Sequence, residues 1–348
     1  MPADGSTERN ADLSTRPPAD VSPHVAVVHY PEGAGHATRM MGVARGLERR
    51  GATVSLAGGG DGRRLYAPNG YDVYEPPTVD FVADYQRAAD PLRGLCRVVT
   101  GSLPDAGRRL RAARRWLAGV DPAAVVVDDM FAAAAVATTD RPLYVLSHDA
   151  GALYRDPLVS APTRLANAGQ RAVARRFFCP TVWPPSGADI PGASRVPPVA
   201  LPPPADADTE SGAGPGPRAA ETVLVPSAYS TDFEATADRL RATGHDVTLV
   251  GDENWTPVPS LLPVLRRAET VVCSGYSTVM EAAVAGTHCV VCPATNEQAG
   301  VARRLRGVEG FTVAGDATAV EAAVAADRPA PDFPNGVAAV AGRILDDL

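Results

Sequence analysis

The sequence predicts two Rossmann-like parallel α/β domains in series, and three observations carry that expectation. Short apolar, β-branched runs alternate with helical-period segments along most of the chain, as in parallel sheets covered on both faces. Two strand-to-helix turns are built from small residues, Gly33-Ala34-Gly35 and Ser274-Gly275, which suits a crevice at the carboxyl edge of such a sheet. Between the halves, Pro180 to Pro217 is crowded with Pro, Gly, Ala and Asp and shows no sustained period, the signature of a linker.

The elements follow in order. Residues 1–23 are polar and mixed in charge and read as a disordered tail. The first domain, 24–180, opens with the strand Val25 to Val28 and a helix over roughly Thr38 to Arg50, stopped by Gly51. Further strands fit Thr53 to Leu56, the neighbourhood of Val73, Ala124 to Val127, and Leu143 to Leu146. The linker occupies 181–220. The second domain, 221–348, has strands at Thr222 to Val225, Val247 to Val250, Thr270 to Cys273, His288 to Cys292 and Phe311 to Val313. Its last helix has the option of packing back on the first domain.

Composition narrows the function classes. The 348 residues are 45% hydrophobic, and no apolar run is long enough to span a bilayer. The N-terminal residues lack the apolar core of a signal peptide, so the expected compartment is the cytoplasm. All 33 basic residues are Arg, and the net charge is −7; this argues against wholesale nucleic-acid binding. Arg without Lys, with Asp over Glu, fits either GC-rich coding or a high-salt cytoplasm. Cys289 and Cys292 lie three apart in an apolar strand with no second pair, so they read as core thiols and no metal site is expected.

The first turn, Pro31-Glu32-Gly33-Ala34-Gly35-His36-Ala37-Thr38-Arg39, brings backbone close to a ligand and opens a helix with free N–H groups. Thr38 breaks the dinucleotide fingerprint, and the second strand ends in Ala57-Gly58-Gly59-Gly60 without an acid; this argues against a nicotinamide cofactor, and no cofactor is expected. His36 at this edge is either a locally bonded helix-start residue or a general base. His24, His29, His245 and His288 read as structural.

The second block is more specific. A strand ends at Cys273, and Ser274-Gly275-Tyr276-Ser277-Thr278 leads into a helix carrying Glu281. The free N–H groups there suit a pyrophosphate, and Glu281 a ribose diol. Glu297 and Gln298, after the next strand, are a carboxylate–amide pair able to grip sugar hydroxyls. Residue by residue, a plain N-cap at Ser277-Thr278 and a dipole-compensating Glu281 explain as much.

Order and spacing together resemble the donor-binding signature of family-28-type glycosyltransferases, S-R-x-G-x-x-T-x-x-E followed by E/H-Q-x-x-N-A. This family includes the N-acetylglucosaminyltransferase of lipid II synthesis and related prokaryotic UDP-glycosyltransferases. Glu32, Gly33, Gly35, His36 and Arg39 match its partner signature G-E-G-x-G-H-x-x-R, and Leu146-Ser147-His148-Asp149 resembles its strand-end His–acid segment. The resemblance implies the two-domain GT-B fold and inverting, metal-independent transfer from a UDP-sugar. It implies that Ser274, Gly275, Ser277 and Thr278 border the diphosphate, Glu281 holds the ribose, and Glu297 with Gln298 holds the sugar. His36 then acts as base, with Glu32 and Asp149 as competing or orienting carboxylates. Glu32, Gly33, Gly35, His148, Asp149 and Ser227 fall on the acceptor or phosphate side. The chain departs at Cys273, where Arg is usual, at Val301 for Asn, and in the glycine-free turn Pro226 to Ser230.

Two alternatives stay open: a non-hydrolysing sugar-nucleotide epimerase using Asp128 or Asp149, and a non-catalytic nucleotide-sugar-binding subunit. The Arg-rich segment 92–117 is either an amphipathic helix on the sheet or a membrane-surface patch for a lipid-linked acceptor.

Overall fold

A computed structural model describes residues 22–78, 103–148, 150–204, 221–230 and 232–348. Residues 1–21 of the expected tail lie outside this description, as do Asp149 and positions 92–102 of the Arg-rich segment.

Seven strands form the first sheet: β1 (His24–Val28), β2 (Thr53–Ala57), β3 (Val73–Tyr74), β4 (Ala124–Val127), β5 (Leu143–Leu146), β6 (Arg176–Pro180) and β7 (Ser194–Val196), in the order β3-β2-β1-β4-β5-β6-β7. The second sheet holds β8 (Glu221–Val225), β9 (Asp246–Leu249), β10 (Thr270–Cys273), β11 (His288–Val291) and β12 (Phe311–Val313), in the order β12-β11-β10-β8-β9. Every recorded pairing is parallel. Strands β4, β5, β10 and β11 are buried along their whole length. That is why they read as unbroken apolar runs rather than alternating ones.

Each sheet reverses its strand order once, between β1 and β4 in the first and between β8 and β10 in the second. Loops leave a reversal in opposite directions and open a crevice at the strand ends. Both candidate motifs, at the ends of β1 and β10, stand at these two points.

Six helices matter for the site: α1 (Ala34–Glu48), α2 (Leu103–Val120), α3 (Met130–Val136), α4 (Tyr276–Ala285), α5 (Asn296–Leu305) and α6 (Val337–Leu345). Helix α6 packs on α1, and its Val337, Val340, Ala341 and Ile344 share one core with Val25, Met41 and Tyr144 of the first domain. A Cβ at Gly46 would run into Val337, so that glycine sets how closely the two helices approach. Asp347 adds an ion pair to Arg176 at 2.6 Å.

The segment read as linker is not structureless throughout. Ser194–Val196 extends the first sheet beside β6, and Val199, Ala200 and Leu201 are buried. A three-residue edge strand among prolines is too short to show a period.

Candidate active site

Helix α1 starts at Ala34, four residues ahead of the expected Thr38, because Gly33 supplies the N-cap at φ 71°, where a side chain would be strained. No side chain caps this end. His36 is therefore the third helical residue, and it faces β4. Its Nδ1 lies 2.9 Å from Oδ2 of Asp128, the residue after β4.

Asp128 is buried and collects several donors. Oδ1 accepts from the Tyr30 amide at 2.7 Å, and Oδ2 accepts from Arg39 Nη2 at 2.8 Å. Burial opposes its ionisation, but His36 and Arg39 outweigh that and hold the carboxyl well below its ordinary value. An ionised Asp128 only accepts, so Nδ1 of His36 carries a hydrogen, and in the neutral ring the lone pair falls on Nε2. Arg39 Nη2 also lies 3.1 Å from Nδ1; its hydrogen goes to the carboxylate, because a protonated ring nitrogen cannot accept it.

The carboxylate bonded to His36 among the described residues is thus Asp128. Glu32 instead accepts from the Tyr229 hydroxyl of the second domain at 2.7 Å. Asp149 lies outside the described residues. The signal for Asp128 was its place at the end of the strand that flanks β1 across the reversal point.

In the second domain the N-cap of α4 is Gly275, with no side-chain cap. The plain N-cap reading of Ser277-Thr278 therefore fails: both lie in the first turn, partly exposed. Glu281, one turn further, is 5% exposed and makes no hydrogen bond among the described residues. Burial pushes its carboxyl up to about 8.

Other expected donor residues serve as scaffold. Ser274 is buried, and its hydroxyl accepts from the Ser227 amide at 3.1 Å and from the Ser230 hydroxyl at 2.9 Å. Gln298 closes a capping box with Thr295. Its carbonyl accepts from the amides of Ala294 and Thr295 at 2.8 and 3.1 Å, and its NH₂ donates to Ser227 Oγ at 3.2 Å. These bonds tie together the loops that follow β8, β10 and β11. A side chain so occupied has little capacity left for sugar hydroxyls.

Glu297 reaches across the domains. Its Oε1 accepts from His148 Nε2 at 2.7 Å and its Oε2 from the Tyr154 hydroxyl at 2.9 Å. Burial works against ionisation, yet His148 and Tyr154 hold the carboxyl at about 2. The His148 ring stacks on Tyr276 at 4.7 Å, and the rings of His36 and His148 lie 6.4 Å apart. A Cβ at Gly35 would collide with the Ser277 side chain. The uncapped starts of α1 and α4 therefore meet face to face, with His36 at the seam.

Cys273, in the position where the resemblance places Arg, is fully buried with its sulfur 3.6 Å from that of Cys289. It is a core residue and offers no charge to a phosphate. No cluster of metal-ligating side chains occurs among the described residues. Arg109, counted in the basic segment, is buried in α2, where it pairs with Asp129 and donates to the Pro77 carbonyl at 2.9 Å. It is thus removed from any basic surface. Asp129 also caps α3 through the Phe131 amide at 2.7 Å. Among the described residues no helix is long and apolar enough to cross a membrane.

No family model matches the chain, and no curated protein matches it in sequence. Solved structures do match in shape. The glycosyltransferase SsfS6 of Streptomyces sp. SF2575, in complex with thymidine diphosphate, is 14% identical with a TM-score of 0.61, over 94% of this chain and 100% of that one. The glycosyltransferase SnogD of Streptomyces nogalater is 18% identical with a TM-score of 0.58, over 94% and 100%. The spinosyn rhamnosyltransferase SpnG is 15% identical with a TM-score of 0.59, over 93% and 95%. At such identities the likeness establishes the fold. The chain has the GT-B architecture, two Rossmann-like parallel-sheet domains facing one another.

Proposed function

We propose that this protein is a glycosyltransferase that moves a hexosyl group from a nucleoside-diphosphate sugar to an acceptor hydroxyl, with inversion and without a metal. One observation carries the reading: the His36–Asp128 pair stands directly across from the uncapped N-terminus of α4. Nε2 of His36 takes the acceptor proton as the acceptor oxygen bonds to the anomeric carbon and the bond to the diphosphate breaks. The departing charge meets the free amides of α4, which supplies without a cation what metal-dependent transferases obtain from one. Glu281 receives the ribose diol and Glu297 the sugar. The resemblance to family-28-type enzymes supports uridine as the base; the thymidine diphosphate held by SsfS6 supports testing thymidine beside it. As acceptor, a lipid-linked or glycan hydroxyl stands beside an apolar aglycone, since SpnG has been solved with spinosyn aglycone.

The deciding experiment is a calorimetric panel of UDP- and TDP-sugars, followed by assay of nucleoside diphosphate release with and without candidate acceptors. Binding of one donor class with acceptor-dependent release is expected. Isomerised donor without an acceptor would favour an epimerase, tight binding without turnover a binding subunit, and no binding at all would end the reading.

A further inference from the structure

We propose that His148 and Tyr154, both from the first domain, are positioning residues of the donor-sugar subsite, holding the Glu297 carboxylate so that its remaining lone pairs meet hydroxyls of the transferred sugar. The inference rests on the glycosyltransferase reading above and adds that the sugar is gripped through residues of both domains. The geometry comes first. Glu297 lies in the first turn of α5 in the second domain, yet both of its oxygens take hydrogen bonds from the first domain, at 2.7 Å from His148 and 2.9 Å from Tyr154. A carboxylate offers about four lone-pair sites, so two remain after these bonds. Glu297 is a third exposed, which leaves it open to a ligand.

The two donors are themselves fixed. His148 follows β5 and stacks on Tyr276, the first residue of α4, whose hydroxyl donates to the Pro180 carbonyl. With Nε2–H committed to Glu297, a neutral His148 keeps a lone pair on Nδ1. That atom is buried and has no partner among the described residues. A buried ring nitrogen left unsatisfied is costly, so the ring is held there for the bond its other nitrogen makes to Glu297. The ligand chemistry is therefore a polyol with hydroxyl hydrogens directed at that carboxylate. The diphosphate and ribose seats on α4 lie on a separate helix, so sugar contacts and nucleotide contacts can be changed independently.

That separation defines the test. Affinities for a nucleotide sugar and for its bare nucleoside diphosphate, UDP or TDP, are measured by calorimetry for wild type, Tyr154→Phe, His148→Ala and His148→Gln. Thermal melting checks each fold. Loss of a charge-assisted hydrogen bond predicts about tenfold weaker binding of the nucleotide sugar in His148→Ala. Binding of the bare diphosphate is unchanged, and the donor KM rises more than kcat falls. Tyr154→Phe shifts the same way, and His148→Gln, which retains an N–H donor, recovers part of the loss. If the folded variants bind the nucleotide sugar as wild type does, or lose sugar and bare diphosphate in equal measure, His148 and Tyr154 do not act on the sugar and the proposal falls alone. If wild type binds neither ligand, the glycosyltransferase reading falls and takes this proposal with it.

Discussion

Replacing Glu281 with glutamine should stabilise the protein at neutral pH, and removing its side chain altogether should weaken the hold on a nucleotide. The carboxyl is 5% exposed, has no hydrogen-bond partner among the described residues, and is raised from 4.5 to about 8 by burial. Between those two values the unfolded chain has already released its proton while the folded protein keeps it. Stability therefore falls as pH rises from 4.5 to about 8 and levels off above. At about 1.4 kcal/mol per pH unit, the decline accumulated by pH 7 is roughly 3 kcal/mol. Glutamine keeps the shape and does not titrate. Urea unfolding at pH 5 and pH 7 should thus show the variant gaining about 2–3 kcal/mol on wild type over that interval. Parallel stability profiles for the two proteins would refute the buried, unpaired carboxyl. The functional half of the expectation uses the same side chain: without a carboxyl for the ribose diol, UDP or TDP should bind about tenfold or more weakly to Glu281→Ala. Undiminished nucleotide affinity in the folded variant would show that this carboxyl is not a ligand. A group that destabilises the fold and improves binding is the kind of exchange that functional sites make.

His36→Ala should cut turnover by at least about a hundredfold with little change in donor affinity; a near wild-type rate would place the base elsewhere. Asp128→Asn should fall in the same direction, because an amide can donate to Nδ1 and hold the wrong tautomer, and equal kcat/KM in the two proteins would count against the pair. A chelator should leave turnover intact, and a loss restored by magnesium or manganese would contradict the helix-amide diphosphate seat. Gly35→Ala should lower kcat/KM by pushing against Ser277, with partial recovery in the double variant that adds Ser277→Gly; independent effects in the two single variants would show that the helices do not meet there. Arg109→Ala leaves the buried Asp129 without its partner, which should cost about 3–5 kcal/mol in urea unfolding.

What sequence could show was set by range along the chain. The buried strands Ala124–Val127, Leu143–Leu146 and Thr270–Cys273 were legible to the residue, because continuous apolar runs bounded by turn residues have few other uses. The helix start at Ala34 was not, since Gly35 in its first turn has poor propensity and only the φ of Gly33 reveals the cap. Glu281 stood out through its spacing from Gly275, a local relation along one helix. Asp128 as partner of His36, and His148 and Tyr154 as partners of Glu297, join residues 92, 149 and 143 positions apart; no local pattern encodes such pairs. Gln298 is the opposite case. Its capping box with Thr295 is a local signature, eclipsed by a family role assigned to the same position.

The return of α6 to the first sheet bears on the order in which the protein is made. Val25, Met41 and Tyr144 complete their core only with Val337, Val340 and Ile344, which leave the ribosome some two hundred residues after Tyr144. The first sheet is therefore synthesised long before the helix that covers it, and during that interval the face of α1 bearing Gly46 lacks its partner. Pulse-proteolysis of stalled nascent chains should find the first domain cleavable until α6 emerges. In synthesis, the segment that begins the fold is among the last to be secured.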